Sequence, residues 1–512
     1  MSSSGRSASS GPPSCSPRRR AWNSPTSRPR CRPRAAIPAT SAGSARTRAW
    51  TAAAAWCCSS ATTTCARARP STPCRSPSCW PRAADITGAT VVDGEQAAGV
   101  DSTLQRATAA RAPVLTLRQA GVLLGLVGLV TGICLALPAK SDPWHDFFDL
   151  RVYHGAVQWW LDGRPLYEFR YNATPYGLTY PPFAGLLLVP STLLSFPAMV
   201  VVHTVASATV LVLLVRWLIT PLARRHGWAL PFAWLAALPL AFLLEPVRET
   251  LGFGQVNLLL AGLVLADVVA LRRGWRWAGA GTGLAAAVKL TPAVFVLYLL
   301  VTRRLRAAGT AVAVAGAATL VTFAVTPGTS WQFWTETLWQ TERVGQVDKV
   351  ANQSLLGGLA RLADPDEPSR ALWAVLAVVV LAVALTRAAR AVRAGDELAG
   401  IALTGLAACL VSPISWTHHF VWLLPACVVL LDLAAGRPRA GEVRRAARAR
   451  WSAAAGLAAV VLIWSSSVVW AFDLRSPHHW DDGWAGMVPQ NAYLLVTLAL
   501  VLLLPARAPV RE

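Results

Sequence analysis

Charge is what this sequence has least of. Only 14% of its residues are charged against 54% hydrophobic, too little for an ordinary soluble chain of 512 residues. The marks of nucleotide and metalloprotease chemistry are missing as well: there is no glycine-rich nucleotide loop, no Walker sequence and no HExxH. No soluble domain that could bind a nucleotide is evident either. Seven of the ten cysteines lie before residue 80 (Cys15, Cys31, Cys57, Cys58, Cys65, Cys74 and Cys79), and Cys134, Cys409 and Cys427 lie in apolar segments. None has zinc-site spacing with partner histidines, and no disulfide framework is evident. We therefore expect neither a metal nor a cofactor.

Lysine and glutamate are absent before residue 90, where Arg, Pro, Ala and Ser abound. "MSSSGRSASSGPPSCSPRRR" has no apolar periodicity and no 7–15-residue apolar core of a signal peptide. Such a composition cannot bury enough surface to offset the entropy of ordering. Residues 1–112 are expected to be a disordered basic low-complexity tail or, as the composition favours, the product of a start site placed too early in GC-rich DNA. Residues 1–90 hold 14 Arg against the single acid Asp85, and so +13 of the net +22. The remaining charge sits mostly in short loops between apolar runs, the usual bias of membrane proteins. That distribution argues against nucleic acid as a partner.

What is present is a series of apolar runs. They fall near 117–138, 181–196, 197–218, 229–246, 254–271, 277–301, 308–326, 371–390, 398–412, 418–434, 453–472 and 490–505. Their usual length matches a hydrocarbon layer of roughly 30 Å, which predicts an all-α polytopic membrane domain over residues 113–507. The Arg-bearing links, among them "RWLITPLARRHGW", "LRRGWR", "RRLR" and "GRPRAGEVRRAARARW", should face the cytoplasm. Residues 181–218 and 277–301 fit that demand only if each contains a broken or re-entrant element, and both carry Pro beside a polar break, in "TYPPFAG" and "AAAVKLTPAV". We expect about ten full spans, two broken elements and both termini cytoplasmic. The outer face then holds 139–180, 245–253, 327–370, 412–418 and 473–490. The two longest of these, 139–180 and 327–370, should form short surface helices over a cleft.

Polar chemistry concentrates in those outer segments. Asp146 and Asp149 lie one helical turn apart. A carboxylate at a membrane boundary suits a general base for a hydroxyl group, with its acidity set by burial and nearby cations. Asp149 is the preferred base and Asp146 the alternative; Asp142 and Asp162 read as solvated loop acids. Arg151 and Tyr153 follow directly. The aromatics Trp144, Tyr153, Trp159, Trp160, Tyr167, Tyr171, Tyr176 and Tyr180 suit either an interfacial belt or flat walls for a sugar. Arg248, Gln255 and Asn257 enter an apolar run, where polar groups usually face a cavity or protein interior. Lys349, Asn352 and Gln353 form a polar cluster before a Gly-Gly break. His418 and His419, beside Trp416, offer donors to a phosphate; adjacent histidines point in different directions on a helix and are weak evidence for a metal. His478, His479, Asp481 and Asp482 read as loop decoration rather than a cation site. Lys289 reads as a structural lysine snorkelling toward the cytoplasmic side.

Six motifs in order, "DLRVYHGAVQWWLDGRPLY", "LTYPPFAGLLLVP", "GQVNLLLAGLVLAD", "GLAAAVKLTPAVFVLYLL", "NQSLLGGLAR" and "SPISWTHHFVWLLP", resemble glycosyltransferase family 87, the polyprenol-phosphate-mannose-dependent α-(1→2)-mannosyltransferases of actinobacteria. The resemblance covers roughly residues 115–505. It implies a GT-C fold with its site on the extracytoplasmic face of the plasma membrane, a polyprenyl-phosphate-mannose donor and a mannose-bearing glycolipid or lipoglycan acceptor. It also implies metal-independent inverting transfer, with the acid of the first outer loop mapping onto Asp149. Arg151, Arg248, Lys349, His418 and His419 are then candidates for the departing phosphate, and Tyr153, Gln255, Asn257, Asn352 and Gln353 for donor phosphate or sugar. Three other readings stand beside this one: transfer of another polyprenyl-linked sugar such as arabinofuranose, a lipid or sugar transporter, and a structural assembly partner without catalysis. A transporter is expected to keep its ionisable groups near the midplane in paired halves; here the acids cluster in outer loops and no internal repeat is visible.

Overall fold

The computed structural model describes residues 118, 119, 121–126, 128, 145–172, 174–436, 443–472 and 478–507. The expectations for residues 1–112, for most of the first apolar run and for the two chain ends lie outside them. Among the described residues all regular structure is helical. Five helices are long and apolar enough to cross a bilayer: Phe196–His226, Leu305–Val325, Arg370–Arg393, Thr417–Ala435 and Ala446–Ser465. Two bent pairs raise the number to seven, Leu230–Leu243 with Glu245–Gly252 at 73° and Gly483–Gln490 with Ala492–Leu503 at 60°. Other apolar runs form shorter helices. Asn257–Arg272 has 16 residues and Glu397–Val411 has 15, so at 1.5 Å per residue each is shorter than a hydrocarbon layer of roughly 30 Å.

Local sequence explains where the helices start and stop. Phe196–His226 opens on Pro197 and closes on Gly227, whose φ of 69° is the left-handed cap, with Arg224, Arg225 and His226 in the last turn. Glu397–Val411 is capped by Asp396, which accepts from the Ala399 N–H. Thirteen of its fifteen residues are buried, because it packs between Arg370–Arg393, Leu423–Ala435 and Ala492–Leu503. Small residues allow this closeness; a Cβ on Gly405 would stand 2.2 Å from the Trp422 ring. Within the membrane-like interior, buried Asp267 accepts from the N–H groups of Gly281 and Thr282 at 3.1 and 2.6 Å. A carboxylate there caps the start of helix Ala280–Val288.

Both expected breaks occur as interruptions of helix. Ala280–Val288 ends at Lys289, which is extended, and helix resumes through Thr291–Ala293 into Val294–Val301. Pro182–Leu188 tightens into Val189–Leu193 and stops at extended Leu194 before Phe196. The bend at Leu244 was not anticipated from sequence. Pro246 stands there in the first turn of Glu245–Gly252, and the fully buried Glu245 carboxylate accepts from Trp470 Nε1 and Tyr493 OH.

The Arg-bearing links meet one another. Asp432 accepts from Arg225 at 2.5 Å, His226 at 2.8 Å and Arg507 at 3.1 Å, and Arg507 also pairs with Asp396 at 2.6 Å. Arg304 pairs with Glu397, and Arg387 donates to the Leu504 carbonyl at 2.7 Å. The segments 139–180 and 327–370 carry the short helices Phe148–Leu161, Leu166–Glu168, Pro327–Thr335, Thr337–Trp339, Thr341–Arg343 and Leu355–Ala363; the first, fourth and fifth of these border a cavity.

Candidate active site

The cavity has a volume of about 470 Å³, within the range of small-molecule sites. Four of the five polar segments contribute to its wall: Phe148 to Tyr180, Phe253, Thr337 to Ala351, and Ser412 to His418. Gln255, Lys289 and Trp470 complete the polar and aromatic lining considered below. Asp149 is the only acidic side chain that lines it among the described residues.

Asp149 sits in the first turn of Phe148–Leu161. That helix begins without a side-chain cap; instead the N–H groups of Asp149 and Leu150 both donate to the Phe253 carbonyl, at 3.1 and 3.2 Å. The next residue, Gly254, has φ of 71°, and a Cβ there would stand 2.6 Å from Leu150 Cβ. Only glycine lets the "GFGQ" turn press this closely on the helix start. Gln255 then donates from Nε2 to Asp149 Oδ2 at 2.8 Å. The Gln255 amide is itself oriented, since Tyr180 OH donates to its Oε1 at 2.9 Å and Tyr153 OH lies 2.8 Å from Tyr180 OH. One carboxylate oxygen is thereby held, and the other receives no hydrogen bond from the described residues.

Protein surrounds Asp149 on nearly every side, although a water-sized molecule reaches it from the cavity. Burial pushes its carboxyl up to about 6, against the opposing pull of the Gln255 hydrogen bond, Lys289 and His145. Across the lining, Lys289 donates to Asn257 Oδ1 at 3.0 Å and to His419 Nε2 at 2.9 Å, with its Nζ 5.1 Å from the Tyr180 ring centre. His418 is buried against Phe253, and neither of its ring nitrogens has a hydrogen-bond partner among the described residues. Its carbonyl is fixed by Thr250 at 3.2 Å and Asn257 at 3.0 Å. Lys349, whose Nζ lies 3.5 Å from Tyr176 OH, and Arg343, which donates to the Tyr167 carbonyl, add positive charge to the lining.

The sequence-derived candidates divide into three groups. Asp149, Tyr153, Gln255, Lys349, His418 and His419 line the cavity. Asn257, Asn352 and Gln353 stand behind it as braces. Asn352 accepts from the Ser415 N–H at 2.9 Å and donates to Val347 and Pro413 carbonyls, and Gln353 joins Gln490 and Leu494 at 2.7 and 2.9 Å. Asp146, Arg151 and Arg248 are directed elsewhere. Asp146 is exposed and pairs with Arg151 at 2.8 Å, Arg151 lies over the Phe196 ring, and Arg248 donates to Leu243 and Ser467. The reading of Lys289 as a snorkelling lysine is corrected: the helix break turns its ammonium into the cavity cluster, where it is buried. Arg343 escaped notice because "TERVGQ" looks like an ordinary solvated loop. Of the aromatics, Tyr153, Tyr176, Tyr180 and Trp416 line the cavity, whereas Tyr167 is buried beside it, donating to the Tyr180 carbonyl at 2.9 Å; Trp144 lies outside the described residues. Among the described residues no three His, Cys, Asp or Glu side chains are placed to hold a metal ion.

No solved structure matches the chain significantly. Residues 178–413 match the model of glycosyltransferase family 87. The chain is 38% identical to the polyprenol-phosphate-mannose-dependent α-(1-2)-phosphatidylinositol mannoside mannosyltransferase of Mycobacterium tuberculosis, over 60% of this chain and 76% of the relative. It is 39% identical to the protein of the same description from Mycolicibacterium smegmatis, over 56% and 70% of the two chains. It is also 33% identical to the polyprenol-phosphate-mannose-dependent α-(1-2)-phosphatidylinositol pentamannoside mannosyltransferase of Mycolicibacterium smegmatis, over 69% and 84%. A membrane-type helical chain with this cavity, this family match and these relatives belongs to glycosyltransferase family 87, and is a glycosyltransferase.

Proposed function

We propose that the chain transfers mannose from a polyprenyl-phosphate-mannose donor to a phosphatidylinositol mannoside or related mannosyl glycolipid, forming an α-(1→2) linkage with inversion and without a metal. Asp149 is the general base. It takes the proton of the acceptor hydroxyl while that oxygen bonds to the anomeric carbon, and the carbon–phosphate oxygen bond breaks with its electron pair leaving on the polyprenyl phosphate. Inversion requires one base and in-line displacement, and an α product then requires a β-linked donor. Lys289, His418, His419, Lys349 and Arg343 surround the departing phosphate, where positive charge and hydrogen-bond donors lower the barrier. Tyr153 and Gln255 orient the base, and Asn257, Asn352 and Gln353 brace the loops that carry the cations.

The observation that carries this reading is a single carboxylate, alone among acids of the described residues on a cavity wall otherwise rich in cations and aromatic rings. A base and a phosphate-compensating cluster facing one space suit transfer from a lipid phosphate better than transport. The site is placed on the extracytoplasmic face of the plasma membrane, with both termini cytoplasmic, about ten spans and two re-entrant elements, on the positive-inside argument. A GT-C architecture fits that arrangement.

The test is to incubate membranes containing the chain with labelled polyprenyl-phosphate-mannose and phosphatidylinositol mannoside. The expected product is a labelled glycolipid whose new linkage an α-1,2-specific mannosidase removes. Label crossing the membrane without a new glycosidic bond, or transfer only from a polyprenyl arabinofuranose donor, contradicts the proposal.

A further inference from the structure

The four residues before Asp149 begin with a backbone that sequence preference alone does not favour. His145, Asp146 and Phe147 have φ values of 45°, 49° and 53°, three consecutive left-handed residues with no glycine among them. Each is disfavoured relative to the ordinary helical region by its Cβ, so the surroundings must hold the turn. His145 supplies two of the contacts that do so. Its ring lies flat on Phe253, with centroids 3.8 Å apart and planes 5° apart, and its Nε2 is 2.9 Å from Glu249 Oε2. Phe253 is also the residue whose carbonyl caps the helix at Asp149 and Leu150. It is thus gripped twice, by its ring from His145 and by its carbonyl from the Asp149 peptide.

We propose that His145, anchored by Glu249, is a positioning residue for Asp149: it locks the left-handed turn onto Phe253 so that the carboxylate meets the cavity in one orientation. The proposal rests on Asp149 being the base. The groups whose charge or hydrogen bond acts on Asp149 are Gln255, Lys289 and His145, which favour its ionised form, and Glu249, which opposes it. Losing His145 therefore alters both the geometry and the acidity of the base.

The experiment uses the full chain in detergent or nanodiscs with labelled polyprenyl-phosphate-mannose and acceptor. His145→Phe keeps the ring stack and removes the pairing with Glu249; His145→Gln keeps a polar group facing Glu249 and removes the stack; Glu249→Gln removes the carboxylate. We expect kcat to fall at least tenfold in His145→Phe with KM for the donor within twofold, and the acid limb of the rate profile to move to higher pH. The double variant should be no slower than the slower single variant, and His145→Gln should recover part of the loss. Unchanged kcat and acid limb in a folded His145→Phe protein overturn the proposal. So does a loss of rate matched by an equal loss of donor binding and of melting temperature, which is the mark of a purely structural role. An inactive Asp149→Asn beside a fully active His145→Phe removes the positioning role alone; an active Asp149→Asn removes the base and this role together.

Discussion

A carboxylate that must accept a proton near neutral pH works best when its acidity is weakened toward the working range. Burial does this to Asp149, raising it from 3.8 to about 6. Because only the ionised form accepts a proton, activity should rise with pH through about 6. A rate profile whose acid limb centres near 6 agrees; one centred near 4 contradicts the assignment. The same shift has a stability sign. A carboxyl raised in the folded state binds its proton more tightly there than when unfolded, so stability is lost as pH climbs from 3.8 to 6. Asp149→Asn should consequently melt no lower than the parent at pH 7, and its loss of activity is not a loss of fold.

At the scale of elements, the site depends on interruptions of helix. The break at Lys289 brings an ammonium from the middle of an apolar run to the cavity, and the "GFGQ" turn joins the helix Phe148–Leu161 to the next polar segment. Gly254→Ala should strain a positive-φ position and force Leu150 away, at about 1–3 kcal/mol, with a matching drop in transfer rate; a variant with parental melting and rate would show that this close approach is dispensable. The break at Lys289 was legible in sequence, because Pro beside a polar residue inside an apolar run leaves few alternatives; the "GFGQ" turn was not. Asp149, Gln255 and the two histidines, singled out in sequence as polar groups beside apolar runs, do line the cavity. What could not be read was pairing across the fold. Asp146 and Arg151 have the same local appearance as Asp149, and only their mutual ion pair turns them from the cavity. Lys289 and Arg343 were misjudged or missed because the partners that hold them, Asn257, His419 and the Tyr167 carbonyl, are distant in sequence.

For the whole molecule, loop charge and polar chemistry separate. The Arg-bearing links bind one another through Asp432, Asp396 and Arg507, while four of the five polar segments converge on the cavity. Asp432→Asn should weaken the junction of three links by about 2 kcal/mol, the scale of hydrogen bonds to a charged group. Its melting temperature in detergent should fall while donor KM at a permissive temperature stays put; a parental melting curve would mean that the junction contributes little. The central claim concerns Asp149. The most direct measurement is single-turnover mannosyl transfer by purified Asp149→Asn, with donor binding followed in the same preparation. The account predicts a rate lowered by about 10²–10⁴-fold with donor binding retained; transfer at the parental rate would contradict it.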